Sequence, residues 1–321
     1  MTSWVSVLVG LVLLVLGAEL IVRFGARLAR RLGIPPILVG LTVVSIGTSA
    51  PELAVGIGAA RSGEGSLALG NIAGTNLVNI LLILGLSAAI RAIPMALQTL
   101  RLDLPVMGAV ALLVLVFAVD GVMTRVEGGV LVGVAVGYTI VLVRWARRES
   151  ARVVAEFESE YRVDPRPGGA GQIVLIALML MIGLVIVVLG ADWLVIGAVD
   201  LAASFGVSSA LIGLTIVAIG TSAPELATAI LSTIRGDRDI AIGNLIGSST
   251  YNLTLILGVT LLAAPIVLDP ALVLVDLPVM IAATLVCGAV MLSGRKLTRL
   301  EGAGMVVAYL VYLGYLLVAR T

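Results

Sequence analysis

Two seven-residue segments hold the residues best suited to chemistry. Residues 47–53 and 220–226 both read Gly-Thr-Ser-Ala-Pro-Glu-Leu, 173 positions apart. Each places a proline and a carboxylate, Glu52 or Glu225, inside a long apolar run. Proline lacks an N–H and clashes with the carbonyl four residues back, so it breaks a helix locally. Within a bilayer such irregular backbone is tolerated only against a cavity or an ion. A charged side chain at the bilayer centre costs about 2.5–3.5 kcal/mol on insertion scales. Helical spacing adds further oxygens: Thr48 and Ser49 precede Glu52 by four and three residues, and the pairs Thr75/Asn79 and Ser248/Asn252 are each four apart. Such pairs share a helix face. Carboxylates, amide carbonyls, hydroxyls and freed backbone carbonyls form a hard donor set that suits Ca²⁺, which takes about 6–8 oxygens, and Na⁺ by the same logic.

Singly, each feature has a plainer explanation. One proline is a kink, a Ser or Thr in a helix bonds back to its own carbonyls, and an intramembrane Asn joins helices. What separates the two heptads from those explanations is duplication with proline, carboxylate and hydroxyls all retained. Asp103 and Asp276 open two apolar runs, where acids favour helix N-termini. Glu19 and Asp192 are expected to make interfacial or interhelical contacts.

The elements that must position these residues are membrane helices. Of 321 residues, 60% are hydrophobic and 12% charged, with a mean hydropathy of +1.19. That leaves too little polar surface for a soluble globule, so an integral membrane protein is expected. No histidine is present and Cys287 is the sole cysteine, which excludes imidazole metal sites, His-dependent triads and an intramolecular disulfide. No enzyme, cofactor, nucleic-acid partner or obligatory protein partner is expected. The partners implied are the transported cations and the lipid bilayer.

Ten runs have the length of about 20 residues that a spanning helix needs. They are 4–22, 36–60, 68–90, 104–119, 127–143, 172–195, 208–234, 241–264, 271–293 and 302–319. The first lacks a basic region before it and reads as a retained helix. Seventeen of the twenty Lys and Arg fall in loops after odd-numbered spans, and only Arg61, Arg125 and Arg320 on the other side. By the positive-inside rule the odd-to-even loops are cytoplasmic and both termini extracytoplasmic, in a multi-pass plasma (inner) membrane protein. The polar stretch 145–171 has the composition of a cytoplasmic linker.

The 173-residue offset extends far beyond the heptads. Gly17-Ala18-Glu19 answers Gly190-Ala191-Asp192, Gly70-Asn71 answers Gly243-Asn244, and Asp103-Leu104-Pro105 answers Asp276-Leu277-Pro278. One inserted residue later, Thr124-Arg125-Val126-Glu127-Gly128 answers Thr298-Arg299-Leu300-Glu301-Gly302. A unit of five spans is odd, so its second copy enters from the opposite side. The predicted fold is therefore an all-α membrane protein of two inverted five-helix repeats, 1–144 and 172–321, with helices 2 and 7 broken at the centre.

The two heptads, each followed by Gly-Asn-x-x-Gly and a polar helix, resemble the α-repeats of the cation/calcium antiporter superfamily, in particular its prokaryotic Na⁺/Ca²⁺ exchanger branch. The repeats correspond to 40–85 and 213–258, and the resemblance covers all ten spans. It implies four central cation sites, one for Ca²⁺ and up to three for Na⁺. Glu52 and Glu225 would bridge them. Ser49, Ser222, Thr75 and Ser248 would supply side-chain oxygens, and Thr48, Thr221, Ser45 and Ala218 backbone carbonyls. Asn79 and Asn252 would sit at the middle of the cluster. The family's archaeal prototype has an aspartate where this chain has Asn252, so stoichiometry does not carry over directly.

The implied activity is exchange of Ca²⁺ for Na⁺ by alternating access. An H⁺-coupled exchanger is the alternative, but that branch usually carries Gly-Asn-Ala-x-Glu instead of Gly-Thr-Ser-x-Pro-Glu. A channel would place its pore on an oligomer axis rather than inside one chain.

Overall fold

The computed structural model describes residues 3–32, 34, 36–158, 170–205 and 218–319. The helices are α1 (Ser3–Leu32), α2 (Ile37–Thr48), α3 (Ala50–Arg61), α4 (Gly65–Ile90), α5 (Thr99–Ala118) and α6 (Arg125–Glu158). After them come α7 (Ala170–Ser204), α8 (Ala218–Thr221), α9 (Ala223–Arg235), α10 (Asp239–Ala263), α11 (Leu272–Gly294) and α12 (Arg299–Ala319). Eight are long and apolar enough to cross a membrane, and a ninth span results if the bent pair α2–α3 counts as one. The opening ten residues of the predicted seventh span, 208–217, lie outside the described residues, as does 159–169 of the predicted linker.

Helix continues into that linker from both sides, to Glu158 and from Ala170. The run Arg-Trp-Ala-Arg-Arg-Glu-Ser-Ala-Arg at 144–152 is rich in strong helix formers, so polarity there marks the end of the apolar run rather than the end of the helix. At the other end of α6, Thr124 and Glu127 cap the helix reciprocally: the Thr124 N–H donates to Glu127 Oε2 and the Glu127 N–H to Thr124 Oγ1 at 3.4 Å. Thr298 and Glu301 do the same for α12, at 2.7 and 3.3 Å. This is the capping box that Thr-x-x-Glu encodes.

Other contacts also occur twice at repeat-related positions. Short strands β1 (Ile93–Pro94) and β4 (Lys296–Leu297) pair antiparallel, as do β2 (Val122–Met123) and β3 (Ile266–Val267). Tyr138 Oη donates to Asp103 Oδ1 at 3.0 Å, and Tyr312 Oη to Asp276 Oδ1 at 3.0 Å. These acids are therefore not the helix-starting residues expected. A π-helical turn precedes each, at Thr99–Asp103 and Leu272–Asp276, so neither has a helix N-terminus to cap, and neither makes a side-chain cap bond. Their role is to join α5 to α6 and α11 to α12.

The outward faces are apolar: Val116, Val126 and Leu300 are 67%, 77% and 84% exposed, as lipid contact requires. α1 and α7 pack along one another with backbones touching. A Cβ on Gly17 would stand 2.5 Å from the Val187 nitrogen, and one on Gly190, its repeat counterpart, 2.7 Å from the Leu14 nitrogen. Only glycine permits that approach. The remaining helices enclose a core in which Leu69, Ile72, Leu131, Leu257 and Met280 are buried.

Candidate functional site

The helix breaks fall at Ser49 and Ser222, whose backbones leave the helical range at φ −82°, ψ 10° and φ −86°, ψ 6°. The first break bends α2 against α3 by 42°. Pro51 and Pro224 then occupy the opening turns of α3 and α9, where a missing N–H costs nothing. Glu52 and Glu225 follow immediately, in the first turn of each half-helix. There the unsatisfied N–H groups carry partial positive charge that favours a carboxylate. Sequence thus fixes local structure and position together: proline ends one helix, starts the next, and sets the acid at its positive end.

α2 reaches the site by crossing α10 at Gly40 and Gly243. A Cβ on Gly40 would lie 2.8 Å from the Ile240 carbonyl and 3.2 Å from Gly243 Cα. The Ser45 hydroxyl clasps this crossing, 2.6 Å from the Gly40 carbonyl and 3.0 Å from the Asn244 carbonyl. The Ser45 carbonyl is 3.4 Å from both Thr48 Oγ1 and Ser248 Oγ.

Four elements bring their oxygens to one place. Glu52 and Glu225 are fully buried. Ser248 Oγ, from α10, donates to Glu225 Oε1 at 3.4 Å, and Thr75 of α4 stands beside Glu52. Asn79 and Asn252 are fully buried on the same two helices, each within or at the start of a π-helical turn, Val78–Ile83 and Asn252–Ile256. Such turns insert a residue into the helix and are frequent at functional sites. Among the described residues, no side-chain or backbone group partners either Glu52 oxygen, Glu225 Oε2, the Ser49 and Ser222 hydroxyls, or either amide atom of Asn79 and Asn252. Ala218 and Thr221 lie on the short helix α8, immediately before the second break. α8 packs against α4 and α7. Thr221 is half-buried.

The structure adds a residue that sequence reasoning passed over. Asn244 Oδ1 accepts from Thr48 Oγ1 at 3.2 Å and lies 3.5 Å from Ser248 Oγ, while its Nδ2 donates to Thr228 Oγ1 at 2.8 Å. It holds the two hydroxyls that flank Glu225. A signal was available: Asn244, Ser248 and Asn252 recur every four residues on one face of α10. Asn76 is a second such residue, its Nδ2 donating to the Ser249 carbonyl at 3.3 Å. These two positions are themselves repeat counterparts, 173 apart.

Two buried carboxylates need positive charge, a metal cation or a proton, because an uncompensated buried charge is strongly destabilising. No group of three or more His, Cys, Asp or Glu occurs among the described residues, so the site's fixed charge is that of the two glutamates. A family model described as sodium/calcium exchanger protein matches residues 2–144 and 175–318. The chain belongs to the sodium/calcium exchanger family. It is accordingly a multi-pass membrane protein of a transporter family rather than an enzyme family. Within the similar proteins, CaxA of Alkalimonas amylolytica is 38% identical over 320 residues, 97% of this chain and 98% of that one. The inner membrane protein YrbG of Escherichia coli K12 is 38% identical over 280 residues, 87% and 85% of the two chains. The solved structure of the sodium/calcium exchanger from Methanococcus jannaschii matches with a TM-score of 0.83 at 26% identity, over 97% of both chains. The stretch 145–174, which the exchanger family model leaves unmatched, contains the polar segment between the halves.

Proposed function

We propose that this protein is a Ca²⁺/Na⁺ antiporter whose ions bind between the two helix breaks. The observation that carries this reading is the pair Glu52 and Glu225, both fully buried, with three of their four oxygens lacking a partner among the described residues. A site of two negative charges is neutralised by one Ca²⁺ or by two Na⁺. Ser49, Ser222, Thr75 and Ser248 complete the shell with hydroxyls, Asn79 and Asn252 with amide carbonyls, and Ser45, Thr48, Ala218 and Thr221 with backbone carbonyls. Either cation fills the pocket, but not both at once. The neutralised pocket can cross to the other side, whereas an empty, doubly negative one carries a large desolvation cost. Exchange is therefore obligatory. The description of the matching family and the solved sodium/calcium exchanger support Na⁺ as the counter-ion.

The ten spans form two inverted repeats, 1–144 and 172–321, joined by a cytoplasmic 145–171 segment, with both termini outside. The α1–α7 pair is the moving part. Its touching backbones make it a unit, and its broad lipid-facing surface lets it slide against the site-bearing helices without unpacking them.

The test is ⁴⁵Ca²⁺ uptake into reconstituted vesicles under an imposed Na⁺ gradient and, separately, an imposed pH gradient. Uptake driven by Na⁺ alone is expected. Uptake driven by the pH gradient alone would make the protein an H⁺-coupled exchanger, and saturation-free flux without a counter-ion would make it a channel.

A further inference from the structure

Far from the carboxylates, a cleft of about 610 Å³ opens between the end of α1 and the start of α7. Arg27, Arg30 and Arg31 line it together with Gln172, over a wall of Phe24, Leu175 and Ile176. The three arginines are spaced i, i+3 and i+4, so one face of α1 presents them all. Arg27 is fixed over the cleft by its guanidinium, 5.2 Å from the centre of the Phe24 ring, a cation–π distance. No carboxylate is among the described residues that line it. The arginines follow about twenty apolar residues of α1, which puts them at the depth of lipid headgroups. Beside the cleft, Val174, Leu175 and Leu178 leave an exposed apolar ridge on α7.

We propose that this cleft seats an anionic phospholipid, its phosphodiester held by Arg27 and Arg30 with Gln172 and its acyl chain lying on the α7 ridge. Charge complementarity selects the ligand: guanidinium forks bind phosphate oxygens in pairs. The mixed lining, part cationic and part apolar, fits an amphiphile better than free phosphate. Because the headgroup bridges α1 and α7, it binds the two helices of the lipid-facing pair to each other at one end.

The test uses the purified full chain in detergent with phosphatidylglycerol as the probe, read by native mass spectrometry, and does not depend on exchange activity. The parent should retain phosphatidylglycerol in preference to phosphatidylcholine. Arg27→Gln/Arg30→Gln should lower its apparent affinity by roughly fivefold for each guanidinium removed. Arg295→Gln/Lys296→Gln, an equal loss of charge elsewhere, should leave it unchanged. Equal loss in both double variants would reduce the effect to general surface charge and overturn the proposal. Gln172→Glu adds a carboxylate to the cleft without touching α1, so it tests the site even if the arginine variant folds poorly; parental retention by this variant would also overturn it. Glycerol 1-phosphate separates the two sources of phosphate. If it displaces the lipid at matched concentration, the cleft takes soluble phosphate and the lipid assignment fails.

Discussion

Glu52 and Glu225 sit where like charges are least welcome, both fully buried. Their half-helix N-termini offset part of that cost, and in the proposed function bound cations offset the rest. Glu52→Gln or Glu225→Gln keeps the shape but removes one charge, so Ca²⁺ uptake should fall by at least about a hundredfold, as when one member of a buried charge set is lost. Size-exclusion profiles should be unchanged, and the exposed Glu64 changed to Gln should transport normally. Uptake near the parental rate in either site variant would remove the carboxylates from the ion path. Asn244 acts one step away, by orienting Thr48 and Ser248. Residues that orient ligands typically contribute 10–100-fold to metal affinity. Asn244→Ala should therefore raise the Ca²⁺ concentration for half-maximal uptake by about tenfold and change the maximal rate less. The carboxylates were legible in the sequence because a charge in an apolar run demands an explanation. Asn244 was not, because a buried amide between helices has a common packing role, and only the distances reveal which hydroxyls it holds.

At the scale of elements, the breaks and caps followed from local chemistry. Proline dictated where α3 and α9 begin, and Thr-x-x-Glu where α6 and α12 begin. The π-helical turns were not legible. They shift a helix by one residue without a side-chain signature, and their effect at Asp103 was to move an acid away from a helix start and under the Tyr138 hydroxyl. Asp103 is fully buried, and its Oδ2 has no partner among the described residues. Tyr138→Phe removes the donor to Oδ1 and should destabilise the protein by about 1–3 kcal/mol, the usual cost of leaving a buried polar group unsatisfied. A lower midpoint in thermal unfolding in detergent, with transport retained below it, is the expected result. An unchanged midpoint would mean that the pair contributes nothing and that water satisfies the acid equally well.

Across the whole molecule, the 173-residue offset reappears as paired contacts: two capping boxes, two Asp–Tyr bonds and two short strand pairs. The halves are nevertheless unequal at the site. Thr228, which receives the Asn244 amide, corresponds to Val55, and Asn71, the counterpart of Asn244, is only half-buried, its Nδ2 without a partner among the described residues. One apolar substitution thus removes the clasp from one half, a difference that an offset in sequence shows but cannot rank. In the proposed topology, the direction in which the second half crosses the bilayer rests on five spans per half and on the distribution of arginines, and it can be tested at positions the repeat makes equivalent. Leu97 and Pro270 are 173 residues apart and both exposed, before α5 and α11 respectively. Inverted repeats put them on opposite sides, Leu97 in the cytoplasm and Pro270 outside, whereas parallel repeats put both on one side. Leu97→Cys and Pro270→Cys, each made in a Cys287→Ala background because Cys287 is a buried packing residue, should answer a membrane-impermeant maleimide differently. Pro270→Cys should react in intact cells and Leu97→Cys only after permeabilisation. Reaction of both in intact cells, or of neither, would refute the inversion and with it the sliding of α1 and α7 past a site shared by two opposed halves.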